Sequence, residues 1–132
     1  MKIQCVLVAC LVSILFGTAW GYDEERAENN YSHELVDCAA YYDIGAEGAR
    51  RTGHNNEAIV IKKGSDRALD IARKYSRDDV ISARYNMAIE DHIKLIDGNY
   101  SNLSLLIVKY KDICKKAIED PNGRLNYWKQ KK

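Results

Sequence analysis

The stretch from Tyr31 to Arg51, YSHELVDCAAYYDIGAEGARR, decides how the chain is read. Tyr31, Leu35, Cys38, Tyr42, Gly45 and Ala49 recur at spacings of three and four, which places them on one face of a helix from about Ser32 to Arg51. Thr52 and Gly53 stop it. Ala39, Ala40, Ala46 and Gly48 lie along the same helix, small enough to let a neighbouring helix come close.

The same punctuation continues downstream. Asn55 or Asn56 can cap a second helix carrying Ala58, Ile61, Ala68, Leu69, Ala72 and Tyr75, with Gly64 weakening its middle. Ser76 and Asp78 offer the next cap, ahead of Val80, Ala83, Met87 and Ala88, with Ile81, Tyr85, His92, Leu95 and Ile96 widening the stripe until Asp97 and Gly98 end it. Asn99 or Asn102 caps a fourth helix, in which Leu103, Ile107, Tyr110, Cys114 and Ala117 follow an amphipathic spacing. Asp120 to Gly123 terminates it. Four helices with short connections predict an all-α, up-and-down four-helix bundle over residues 32–120.

Upstream, Lys2 precedes an apolar run from Ile3 to Phe16, followed by Ala19 and Gly21 as small residues of a processing site. A spanning helix needs about 20 apolar residues, more than this run supplies, so residues 1–21 read as a signal peptide cleaved before Tyr22. Leu7 to Cys10 resembles a lipobox, but the apolar run continues through Cys10 to Phe16, whereas a lipobox closes that run. The expected location is periplasmic or secreted.

Of the four cysteines, Cys38 and Cys114 remain after cleavage, and an oxidising compartment favours their pairing. Both fall on the apolar stripes of the first and last predicted helices, which are neighbours in an up-and-down bundle. Charge agrees: Tyr22 to Glu47 holds eight acidic residues and one basic, whereas Lys109 to Lys132 holds eight basic and three acidic. Residues 22–31 read as an acidic N-terminal lead, and residues 121–132 as a basic, aromatic tail with Arg124, Lys129, Lys131 and Lys132.

No local motif names a chemistry. Di-iron bundles need Glu-x-x-His on two helices, and the sequence has none. Glu90, Asp91 and His92 are consecutive and read as a solvated helix surface, while His33 at a helix start and His54 in a turn do not make an axial haem pair with Met87. No Cys/His set has zinc spacing, no Ser sits in a nucleophile elbow, and no Gly-rich phosphate loop occurs. No metal, cofactor or catalytic residue is expected. Three Asn-x-Ser sequons, at Asn30, Asn99 and Asn102, stand at expected helix starts and read as caps.

Nine tyrosines against one Phe and two Trp is the most unusual feature of the composition. Tyr is favoured where a side chain is apolar on one side and wet on the other, so it serves as core filler or as a recognition surface. Tyr42, Tyr85, Met87 and Tyr110 form the candidate binding surface or pocket. The basic tail is too sparse to predict nucleic-acid binding or membrane-surface contact.

Ala40, Tyr41, Tyr42, Ile44 and Gly45, then Gly53 and Ala58, resemble part of a tetratricopeptide helical hairpin over less than a fifth of the chain. The two glycines are eight apart instead of seven and no further copy follows, so the resemblance implies only a tight helix pair. The run Asp37 to Tyr42, with the later Cys and Tyr127-Trp128, is similar to small exported bacterial proteins of unknown function, which implies no activity. The expected function is an exported helical module that binds a protein partner. The alternative is a carrier of a small apolar or aromatic ligand between helices.

Overall fold

The computed structural model describes residues 17–131, and over these the chain forms five α-helices and one short 3-10 turn. They are α1 (Gly17–Arg51), α2 (Asn55–Ala72), α3 (Asp78–Leu95), the turn Tyr100–Asn102, α4 (Leu103–Glu119) and α5 (Pro121–Gln130). Residues 1–16, which hold most of the expected signal peptide, and Lys132 lie outside the described residues. Among the described residues, no helix is long and apolar enough to cross a membrane.

The expected all-helical class is met, with two corrections to the count and layout. First, α1 begins well before Ser32, and residues assigned to an acidic lead are part of it: Ala27 and Tyr31 are fully buried. Second, the tail forms a fifth helix. Pro121 opens that helix rather than only ending α4, because its fixed φ suits a first helical position and the missing N–H has no intrahelical acceptor there. The Asp120 side chain accepts from the Gly123 amide at 3.0 Å, capping the new turn.

The arrangement is centred on α1 rather than a ring of four, since each other helix packs on it. α2 and α4 run antiparallel to α1. For α2 this is seen where Ile61 meets Gly45, and where the Ser32 hydroxyl donates to the Ala72 carbonyl at 3.5 Å. For α4, Leu103 fills the space a Cβ would need at Gly48, and the Tyr31 hydroxyl donates to the Ala117 carbonyl at 2.7 Å. α3 runs parallel to α1, with Arg84 on Asn29 and His92 on Asp37. Tyr42 lies over Gly64, where an added Cβ would stand 3.0 Å from the ring, so this glycine is a seat for an aromatic face rather than a weak point.

Two apolar clusters result. The larger gathers Tyr31, Leu35, Val36, Cys38 and Ala39 with Ala68, Ile71, Ile81, Cys114 and Ile118; the smaller joins Ile44, Ile96 and Leu106. The sulfurs of Cys38 and Cys114 are bonded, with Cα atoms 5.3 Å apart, so the predicted pairing and the adjacency of their helices are both present. Leu106 replaces Ile107 in the core of α4; Ile107 is half exposed. The α3–α4 connection turns through two left-handed residues, Asp97 (φ 55°) and Gly98 (φ 64°), where glycine's freedom is required at the second.

Candidate functional site

The four residues expected to form one surface or pocket are dispersed. The half-buried Tyr42 ring rests on Gly64 and stands 5.0 Å from Tyr41. The Tyr85 hydroxyl donates to Asp43 Oδ2 at 2.5 Å. Met87 is 65% exposed, because α3 turns Ile81, Ala88 and His92 toward the core and so carries Met87 outward. Tyr110 alone of the four borders the two clefts described next.

These clefts lie side by side over α1, one of about 530 Å³ between α3 and α4 and one of about 320 Å³ between α4 and α5, and they share His33, Asp37, Lys109 and Tyr110. Their floor is α1, where His33 and Asp37 share a face by their i, i+4 spacing. Asp91, His92 and Leu95 come from α3; Lys109, Tyr110 and Ile113 come from α4. Trp128 of α5 closes one end. Apart from Tyr110, none of these residues belongs to the expected binding surface or pocket; the His33–Asp37 and Lys109–Ile113 spacings are the signals the sequence holds.

His92 is 2% exposed, in keeping with its place on the apolar stripe of α3 and not with a solvated Glu90–His92 surface. Its Nε2 lies 3.1 Å from the Asp37 carbonyl oxygen, which can only accept, so Nε2 carries the proton. The ring stands 4.5 Å from that of Tyr110. Burial holds the imidazole below its ordinary value, against the opposing pull of the Asp37 carbonyl and of the Asp37 and Asp91 carboxylates. Burial raises the Asp37 carboxyl, with His33, His92 and Lys109 opposing.

A depressed histidine pKa means that the fold prefers the neutral ring. That contribution is complete above the unfolded value of about 6.5 and is lost as the pH falls through the folded value. Asp37 acts in the opposite sense, and its window opens at the acid end. Thermal stability is therefore expected to fall between pH 7.5 and 5.5, and to fall less in His92→Gln. Melting temperatures across that range check this; parallel curves for the two proteins would refute the assignment to His92.

The basic tail is engaged rather than free. Arg124 makes two 2.6 Å bonds to Glu34, Lys129 lies 2.9 Å from Glu24, and Lys131 stands 4.9 Å from the Trp128 ring centre. These pairs realise the predicted attraction between the acidic start and basic end of the chain. Among the described residues, no cluster of three or more His, Cys, Asp or Glu side chains has metal-binding geometry. The sequons differ in setting: Asn99 Oδ1 caps the 3-10 turn, Asn102 Nδ2 donates to the Ile96 carbonyl, and Asn30 borders the cleft within α1. Comparison of the chain with protein-family models, with curated proteins and with solved structures returned no match.

Proposed function

We propose that the chain is an exported protein-binding module that docks its partner along the α3–α4 cleft. The observation that carries this reading is where apolar exposure lies. Leu95 and Ile113 border the cleft and are each 39% exposed. Leu105, four residues before the cleft residue Lys109, is half exposed, and Val108 beside it is 88% exposed. Leu105 and Val108 line neither cleft but add exposed apolar surface on the same helix as Ile113. Ile59 and Val60 are also exposed, but on α2, a helix that lines neither cleft.

An open cleft with apolar shoulders and a polar floor suits a segment of protein chain, which can bury side chains and satisfy its polar groups at once. A carrier needs an enclosed apolar chamber, and two of the three tyrosines expected to line one, Tyr42 and Tyr85, are engaged by Gly64 and Asp43. Export rests on the leader, and the Cys38–Cys114 pair is in keeping with it.

The test is photo-crosslinking in the native host, with the reactive side chain at position 108 or, as control, at the exposed position 63 on α2. A discrete protein adduct at 108 that disappears when Leu105 becomes Lys is expected, from exported material beginning at Tyr22. Equal labelling at both positions, or a co-purified small molecule with no protein adduct, would overturn the reading.

A further inference from the structure

We propose that α5 is a releasable strap: it walls the smaller cleft, between α4 and α5, and lifting it opens a subsite for an aromatic side chain of the docking protein. The subsite rests on the cleft reading above; the strap itself does not.

α5 has ten residues and none is fully buried. A helix this short does not persist in water without a surface to lie on, so lifting it also melts it. It is joined to α4 through Asp120 alone, and Pro121 lacks the N–H that would let α4 continue through it. Its seat is partly apolar, with Leu125 and Trp128 against the larger cluster, and partly ionic. Lys129 meets Glu24 at the surface, Arg124 grips Glu34 in a partly buried fork, and an Arg26 nitrogen donates to the Lys131 carbonyl at 2.9 Å.

The fit of that seat is also incomplete. Two buried side-chain polar atoms of this seam, Trp128 Nε1 and Arg26 Nε, have no hydrogen-bond partner. A buried donor with no acceptor costs free energy that lifting the helix recovers. The Trp128 ring meanwhile packs on the larger apolar cluster and walls the cleft together with Ile113, Glu34 and Cys38. Since an indole fills that place from within the chain, an aromatic side chain from outside can fill it once the strap leaves.

Hydrogen exchange of the full chain, read by mass spectrometry, tests the strap, and 1-anilinonaphthalene-8-sulfonate is the probe for the subsite. In Glu34→Gln, amides from Arg124 to Gln130 are expected to exchange about tenfold faster while those of α4 are unchanged, since a charge-assisted fork has been lost. Dye fluorescence should rise several-fold over the parent. Glu24→Gln, at an exposed pair, should give a smaller rise in both and serves if the first variant does not fold. Protection of α5 equal to that of α4 in both variants and at high salt would overturn the strap, and release without added dye binding would overturn the subsite. A failed crosslink at position 108 beside a released α5 would instead count against the cleft reading alone.

Discussion

Reduction of the Cys38–Cys114 bridge is expected to lower the melting temperature by about 20 °C while leaving the helices formed at low temperature. The bridge closes a loop with a sequence separation of 76 residues. In the chain-entropy account, a loop of that length destabilises the unfolded ensemble by about 4–5 kcal/mol. That is a large fraction of the 5–15 kcal/mol typical of a small domain. Tyr31, Leu35, Ala117 and Ile118 remain packed around the site after reduction, so the loss should appear in global stability rather than in local melting. Replacing both cysteines by Ala adds a small cavity, because both side chains are buried. Circular dichroism melts with and without reductant decide the matter, and a shift below about 5 °C would show that the bridge constrains little.

The bridge was legible because two facts met at it: each cysteine lies on its helix's apolar stripe, and the two segments carry opposite charge. The central helices were legible for a similar local reason. Gly53, the Asp97-Gly98 turn and Asp120 interrupt the helical period close to where α1, α3 and α4 end. What escaped was what tertiary pairing creates. Residues 22–31 have almost no apolar period, and this stretch of α1 owes its order partly to the chain end lying against it, with Glu24 on Lys129 and Arg26 on the Lys131 carbonyl. Likewise α5 is weakly amphipathic, and its Pro and Gly look like punctuation until Asp120 is seen to cap it.

The cleft was hidden for a different reason. His33, Asp37, His92 and Lys109 come from three helices, and their convergence depends on how far α3 and α4 stand apart around α1. That separation is set by packing at Ile44, Ile96 and Leu106. Met87 illustrates the same limit in one residue. A stripe through Val80, Ala83 and Met87 is a valid helical face, but the face that buries is the one through Ile81, Ala88 and His92, because it reaches α1.

Asp43→Ala is expected to cost about 2–4 kcal/mol, a larger loss than its place on a polar flank of α1 suggests. One carboxylate oxygen accepts from the Ser65 hydroxyl at 2.8 Å and from the Tyr85 hydroxyl at 2.5 Å, while the other lies 2.9 Å from Lys62 Nζ. Asp43 thus joins α1 to α2 and to α3 at one point. Burial, and then the bond to Asp43, hold the Tyr85 phenol protonated far above its ordinary range. Burial disfavours the Lys62 ammonium, but Asp43 and Asp66 outweigh it and raise the group. Removing the carboxylate leaves the buried Ser65 hydroxyl and the half-buried phenol without this acceptor, and that loss dominates the cost. Lys62 is 44% exposed and keeps Asp66 at 3.0 Å, so its share is small. Asp43→Asn retains one acceptor oxygen and should cost about half as much, and Tyr85→Phe about 1 kcal/mol. Because Asp43 and Tyr85 share a bond, Asp43→Ala combined with Tyr85→Phe should cost less than the two separate losses together, by about 0.5–1 kcal/mol. Urea denaturation of the four variants measures these differences. Additive losses would show that Tyr85 and Asp43 are neighbours without being coupled, and an Asp43→Ala protein within about 0.5 kcal/mol of the parent would remove Asp43 as the junction of the three helices.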